Sequence, residues 1–179
     1  MSHLIRLVPL ELDTHTNALT RLYRASPEYR TLHTLTGNPY QQAQHDLTAV
    51  ATTPGRAMVG IVRAADPADP SSGAELVGLI DFRRDWPDAG IAYVGLILVA
   101  DAGQRQGIAS QAWGLLEPWL SEGAAMAVAR CGVEQFNPGA LRFMQRLGFQ
   151  LTGEAARVRQ GERLIRLLTM EKVLKQATA

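Results

Sequence analysis

Residues Val99 to Ala109 read V-A-D-A-G-Q-R-Q-G-I-A and separate two very different stretches. Before them runs an unbroken apolar segment, Ile91 to Val99. After them a helical pattern begins near Gly107. A buried strand, a polar loop rich in Gly and amide side chains, and a helix start together form a recurrent phosphate holder. The loop N–H groups and the positive end of the helix dipole converge on one point. A pyrophosphate-bearing cofactor is therefore the first expectation.

Working outward, the apolar run predicts a central strand covered on both faces. Gly95 inside it marks a bulge, a close approach by ligand, or tight packing by a helix over the sheet. Downstream, a helix is predicted from about Gly107 to Ser121, with Ile108, Ala112, Leu115 and Trp119 as one core-facing stripe. Pro118 falls inside it and clashes with the carbonyl of Gly114, so a kink is expected. Met126 to Val133 reads as a strand. Asn137 and Pro138 suit the cap and first position of a helix that runs to Leu147 and stops at Gly148. Gln150 to Val158 and Leu164 to Lys172 read as two strands joined across Gln160-Gly161.

Upstream, Leu4 to Val8 is a short strand closed by Pro9. Leu12, Ala18, Leu19 and Leu22 recur at helical spacing between Glu11 and Ala25. Ser26-Pro27 breaks that pattern, and Ser26 to Tyr40 is mixed, with Pro27, Gly37 and Pro39 as breakers. A second helix is predicted over Pro39 to Ala51, then strands over Ala57 to Ala65 and Leu76 to Phe82. Turn formers fill Asp66 to Gly73 and Asp85 to Gly90. The order β-α-α-β-β-β-α-β-α-β-β describes a mixed α/β (α+β) fold, read as one domain over residues 1–179.

Bulk properties exclude several classes. A hydrophobic content of 46% with 20% charged residues is ordinary for a globular chain. The net charge of +1 offers no broad nucleic-acid surface. The longest apolar run, Ile91 to Ala100, is half the roughly 20 residues of a spanning helix, so no membrane partner is expected. Cys131 has no second cysteine to pair with, which suits a reducing cytoplasm; it reads as a small buried apolar residue. His3, His15, His33 and His45 lack metal-ligand spacing, so no metal is expected.

Two groups of residues carry a family resemblance. Val99 followed by Gln104-Arg105-Gln106-Gly107-Ile108-Ala109 resembles the acyl-CoA loop of the GCN5-related N-acetyltransferase superfamily, written Gln/Arg-x-x-Gly-x-Gly/Ala. Asn137, Ala140, Phe143 and Gly148-Phe149 resemble its second signature. The resemblance spans Ile91 to Phe149 and implies a mixed, mostly antiparallel sheet of six to seven strands flanked by about four helices.

The same resemblance implies a chemistry. Acetyl-CoA is the expected co-substrate, with its pyrophosphate on the N–H groups of Gln104 to Ala109. Gly107 and Ala109 let the phosphates approach the backbone closely. The pantetheine arm is expected beside Leu98 and Val99, and a backbone N–H there, that of Leu98, is the expected oxyanion donor. Asn137 is expected near the cofactor arm, although its cap explains it equally well. Phe143 either packs on the cofactor or fills the core.

The expected reaction is direct attack of a primary amine on the thioester. A lysine-like amine with pKa ~10.4 is about 3.4 units from neutral, so its deprotonation costs roughly 4.6 kcal/mol unaided. A base is therefore expected. Gly95 to Val99 contains no acidic residue, which leaves Asp81 and Glu134 as candidate bases. Where relatives usually place a Tyr to protonate the leaving thiolate, this chain has Met144, which donates no proton. Tyr93 or water is the candidate replacement.

The acceptor is expected to be a small-molecule amine or a peptide or protein amine. Arg83, Asp85, Trp86 and the Ser26 to Tyr40 segment are the candidate selectors. The runner-up reading is a non-catalytic acyl-CoA-binding or sensing module. A plain nucleotide binder ranks last, because the chain lacks the dinucleotide fingerprint and a P-loop Lys. Monomer and homodimer both remain open.

Overall fold

Periodic apolar positions cut by Pro, Gly and Asn divide the chain into seven strands and five helices. They are β1 (Ile5–Pro9), α1 (Leu12–Arg24), α2 (Pro27–Leu32), α3 (Pro39–Thr52), β2 (Arg56–Arg63), β3 (Glu75–Arg84), β4 (Ile91–Val99), α4 (Ile108–Pro118), β5 (Val128–Glu134), α5 (Pro138–Arg146), β6 (Gln150–Gln160) and β7 (Arg163–Val173). The strands form one sheet in the order β1-β2-β3-β4-β5-β7-β6, mixed but mostly antiparallel. The computed structural model describes residues 5–64, 73–160 and 162–174. His3, Leu4, Ala65, all of the predicted turn over Asp66 to Gly73 except Gly73 itself, and Gly161 lie outside the described residues. Two compact units divide the fold, residues 1–82 with 96–116 and residues 83–95 with 117–179.

In the first unit, β1 and β2 pair antiparallel from Ile5↔Arg63 to Pro9↔Val59. The helical spacing read over Glu11 to Ala25 places Leu19 and Leu22 of α1 in the core. They join Leu10, Tyr23, Ala43, Leu47, Met58, Leu79 and Leu98. Each fully buried leucine contributes roughly 1.5–3 kcal/mol. The end of α1 is tied to the loop after β4: Asp101 N–H donates to the Ala25 carbonyl at 3.0 Å. Ala100 N–H donates to the Val77 carbonyl at 2.9 Å, which fixes β3 against the end of β4.

Helix α2 is the element that the sequence reading missed, giving five helices where about four were expected. Ser26-Pro27 breaks the pattern of α1 and also starts a helix. Pro27 occupies the first turn, where its missing N–H costs nothing. Ser26 is fully buried and donates to the Leu22 carbonyl at 2.9 Å.

The predicted stripe of α4 is half right. Ile108 and Ala112 are buried, whereas Leu115 and Trp119 are 51% and 46% exposed. The buried set instead continues through Trp113, Leu116 and Leu120. A step of four residues holds this face, and the stripe read at 115 and 119 drifts off it. The regular helix ends at Pro118. A wide turn over Trp119–Gly123 follows, closed by Ala124 N–H donating to the Trp119 carbonyl at 2.8 Å.

In the second unit, β4 pairs parallel with β5 from Ile91↔Val128 to Val94↔Cys131, and that register ends one residue short of Gly95. β5 runs on to Glu134, paired antiparallel with β7 along its length. β6 covers the other edge of β7, with an irregularity between Leu151 and Ala155. Ala129, Cys131, Val133, Met144, Phe149 and Met170 are buried. The expectation of a strand covered on both faces holds at the ends of β4 only. Gly95 is exposed, and Leu96 and Ile97 are half-buried. Among the described residues, no helix is long and apolar enough to cross a membrane. No group of three or more His, Cys, Asp or Glu among them is placed to hold a metal ion.

Candidate active site

The loop that opened the sequence reading lies wholly in the first unit. A short turn, Asp101–Gly103, leads from β4 into Gln104–Gly107 and then α4. Gly103 packs tightly, since a Cβ there would stand 3.1 Å from Val99 Cγ1 and 3.4 Å from Ile108 Cδ1. The Gln104 amide donates to the Val99 carbonyl (3.3 Å) and to Asp101 Oδ1 (3.2 Å). The Gln106 amide donates to the Ala102 carbonyl at 2.8 Å. Both amides therefore brace the loop from within. Asp101 also accepts from Glu28 N–H at 3.1 Å, joining the loop to the start of α2.

This bracing leaves the backbone donors bare. Arg105 and Gly107 adopt the left-handed region, at φ +61° and +82°. Such alternation turns successive N–H groups toward one concavity. Among the described residues, no backbone carbonyl takes the N–H groups of Arg105, Gln106, Gly107, Ile108, Ala109 or Ser110. Arg105, Gln106 and Gly107 are exposed and Ile108 is buried beneath them. A Cβ on Gly107 would meet nothing within 4 Å. Six consecutive unclaimed donors at a helix start form an anion cradle.

Leu98 is buried in the first-unit core, and its carbonyl oxygen lies against the position a Cβ would take on Gly78 of β3. In an extended strand the N–H and C=O of one residue point to the same edge. The Leu98 N–H therefore points toward β3. Ile97 and Val99 present their N–H groups to the edge away from β3.

Asp81, on β3, is 8% exposed. Arg56, at the start of β2, holds it bidentately, with Nε to Oδ1 at 3.1 Å and Nη2 to Oδ2 at 2.6 Å. Burial pushes the Asp81 carboxyl up, and the Arg56 guanidinium pulls it part of the way back. Nearby, the Tyr23 hydroxyl donates to Asp46 Oδ2 at 2.6 Å. Burial and the Asp46 charge push the Tyr23 phenol far above its ordinary value.

The second unit holds the other candidates. Asn137 caps α5, its Oδ1 accepting from Ala140 N–H at 3.0 Å, as the Asn-Pro signal predicted. Phe143 is half-buried beneath the Arg146 guanidinium, 5.9 Å from the ring centre. Met144, at the position usually held by Tyr, is buried at 5% exposure. Tyr93 and Glu134 come together on one face. Burial raises the Tyr93 phenol, nearby Cys131 and Glu134 add to the rise, and Arg130 and the backbone of Gly132 oppose it. Trp86 stands edge-on to Tyr93 at 4.8 Å between ring centres, and the Arg83 guanidinium lies 5.5 Å from the Trp86 ring centre. Trp86 is 38% exposed, so this aromatic pair reaches the surface. Cys131 is buried, and burial pushes its thiol up to about 12, which suits an inert core residue.

Six unclaimed N–H groups thus stand between a strand and a helix, in a mixed sheet whose strands β4 and β5 run parallel. The family model of the acetyltransferase (GNAT) family matches residues 18–149, and the chain belongs to that family. A comparison with curated proteins finds no match. Solved structures share the fold. An acetyltransferase from Thermus thermophilus has 23% identity and a TM-score of 0.71, with 97% of this chain and 100% of that chain covered. Mutant forms of the spermidine/spermine N-acetyltransferase SpeG from Vibrio cholerae have 14% identity and a TM-score of 0.65, with 95% of each chain covered. Arabidopsis thaliana NAA60, in complex with a bisubstrate analogue, has 14% identity and a TM-score of 0.67, with 97% and 100% covered.

Two functional neighbours escaped the sequence reading. Nothing local in the sequence links Arg56 to a carboxylate 25 positions away. Asp101 is a turn-forming acid just before a helical segment, which is the sequence signal for its bracing role.

Proposed function

We propose that the chain, read as a single domain over residues 1–179, is an acetyl-CoA-dependent N-acetyltransferase that moves an acetyl group to a primary amine by direct attack. The observation that carries this reading is the row of unclaimed N–H groups from Arg105 to Ser110, in a chain of the GNAT family. Those donors fit a pyrophosphate in number, direction and charge. Bound there, acetyl-CoA supplies its acetyl group already activated as a thioester.

The chain's own residues then divide the work. Gln104 and Gln106 brace the cradle, Arg105 adds a positive charge, and Ile108 and Ala109 supply donors from the first turn of α4. Asn137 and Phe143 carry the remaining cofactor assignments from the resemblance. The oxyanion donor moves from Leu98 to Ile97 or Val99, whose N–H groups face away from β3. Both oxygens of Asp81 are engaged by Arg56, so the proton-accepting role passes to Glu134. Tyr93 stays protonated through neutral pH, because burial raises its phenol. It is thus positioned to give a proton to a leaving thiolate. Trp86, exposed beside Tyr93, and the half-buried Arg83 next to it are the acceptor selectors. SpeG is a spermidine/spermine N-acetyltransferase on this fold, which supports an amine on a small molecule; a peptide or protein amine fits the same chemistry.

One observation favours a second reading, a non-catalytic acyl-CoA-binding module. Met144 is buried where relatives carry an acid. An amine panel with acetyl-CoA, followed by release of free thiol, decides between them. Amine-dependent thiol release supports catalysis. Binding of CoA with no release for polyamines, aminoglycoside-like amines or peptide amines overturns it in favour of the module.

A further inference from the structure

Beside the core of the first unit lies a cleft of about 670 Å³ that acyl transfer does not use. It opens between α1 and the edge strand β1. The spacing along both elements explains its lining. His15, Ala18, Leu22 and Ala25 recur at i, i+3, i+7 and i+10 and so share one side of α1. Two of these four are alanines, whose small side chains leave space beside the helix. Arg6 and Val8 share one face of β1, and Val62 stands opposite Arg6 on β2. The floor is therefore aliphatic. Val8, Leu76 and Ala100 pack against the core yet remain only half-buried. Among the described residues, no aromatic ring lines the cleft. Its volume falls within the roughly 300–1,000 Å³ of small-molecule sites.

Two arginines stand over that floor. Arg6 lies four strand residues before Leu10, about 13 Å along β1. Arg21 lies nine helical residues after Leu12, about 13 Å along α1. Both line the same cleft, so their stems start at one level. Both are exposed. Among the described residues, no ion pair or side-chain hydrogen bond engages either of them. Glu75, on the same lining, is answered by Arg63 at 2.9 Å. His15 Nδ1 accepts from Glu11 N–H at 3.0 Å, which leaves Nε2 as its donor.

We propose that this cleft binds a free aliphatic carboxylate, with Arg6 and Arg21 holding the carboxylate and the chain lying along α1 toward Ala18 and Val8. Guanidinium forks match a carboxylate in charge and shape. An aliphatic tail covers the half-buried floor, which an inorganic anion leaves in water. A cationic amine meets two charges of its own sign, so the cleft is not a second acceptor site. It shares no residue with the row from Arg105 to Ser110, and it does not rest on the acetyl-CoA reading.

The test is an NMR titration of the isotope-labelled chain with octanoate, octan-1-ol and octylamine. Octanoate is expected to shift amides of β1 and α1 saturably. It should bind about tenfold more tightly than octan-1-ol, the share of two charge-assisted contacts at exposed side chains. Octylamine should bind more weakly than the alcohol. The double variant Arg6→Gln with Arg21→Gln should bring octanoate down to the level of the alcohol. Ala18→Trp fills the cleft with the arginines in place, and should weaken octanoate and octan-1-ol alike by at least about tenfold. All three positions are exposed or half-buried, so Tm should stay close to that of the wild type. Added salt should narrow the preference for octanoate. Octanoate that binds no more tightly than the alcohol, or a preference that survives loss of both arginines, overturns the proposal. So does octanoate binding that persists in Ala18→Trp, or that coenzyme A displaces while amides of Gln104 to Ser110 shift. Each of these outcomes leaves the acetyl-CoA reading intact.

Discussion

Gly107 separates binding from folding more sharply than any other position in the loop. Its φ of +82° favours glycine, yet a Cβ there meets nothing within 4 Å. A side chain at residue 107 thus strains the backbone without striking the protein. Alanine in the left-handed region costs about 1–2 kcal/mol, partly offset by about 0.4–1 kcal/mol from a stiffer unfolded chain. The net loss for Gly107→Ala is about 1 kcal/mol, or roughly 2–4 °C in Tm for a chain of this size. Asparagine tolerates this conformation better than alanine, so Gly107→Asn should lose less stability. Its longer side chain, however, intrudes further into the space above the unclaimed N–H groups. Each charge-assisted contact displaced there is worth about 1.5–3 kcal/mol, so affinity for coenzyme A should fall roughly 10- to 100-fold. Urea unfolding should rank the proteins Gly, Asn, Ala. Calorimetric titration with coenzyme A should rank them Gly, Ala, Asn. If affinity instead follows the stability order, or does not change, the cradle is not where the phosphates bind.

Two further expectations follow from buried ionisable groups. Arg56→Met leaves Asp81 buried without its partner; breaking a buried pair costs about 3–5 kcal/mol, and the partial exposure of Arg56 reduces this to about 2 kcal/mol. The Asp81 carboxyl is already raised in the folded protein, so the folded state holds its proton more tightly than the unfolded state and stability from this group is lost as pH rises. Without Arg56 the rise is larger. Urea midpoints should therefore show the variant's deficit at pH 8 and much of it recovered near pH 5; an equal deficit at both would exclude the pair as its cause. Tyr93→Phe should lower kcat by about 100-fold, the low end for a lost general acid, with KM for acetyl-CoA unchanged. In the wild type, kcat should stay level with rising pH until beyond the ordinary phenol value of 10.0, because burial raises this group. A Phe variant with wild-type kcat would remove Tyr93 from the proton path.

Local signals were read well where one residue type has one physical use. Asn137 and Pro138 started a helix as their chemistry requires, and Gly148 ended it. Ser26-Pro27 carries the same start signal, but the segment beyond it is short and holds Gly37 and Pro39, so the break was seen and the helix was not. The stripe at Leu115 and Trp119 fits helical spacing as well as Leu116 and Leu120 do. Only the packing of Ile108 and Ala112 chooses between them. The apolar run of β4 announced a central strand, but apolarity cannot tell a core from a cleft, and Gly95 to Ile97 are more open than the run suggested. The pairing of Arg56 with Asp81 and the meeting of Tyr93 with Glu134 join distant positions. No period in the chain encodes them. Leu98 shows a subtler limit: the sequence locates the strand, and only the register on β3 says which edge each N–H faces.

The row from Arg105 to Ser110 has one more consequence. Its donors are peptide groups, which every amino acid except proline supplies. Side chains in this stretch matter through bulk and backbone conformation, as at Gly107, rather than as donors. A proline at Gln106 or Ala109 would delete a donor while leaving the neighbouring side chains in place, whereas changes among other residue types would alter charge and bulk only. The anion-facing groups of this loop thus belong to the backbone, and the side chains act on them by setting its path.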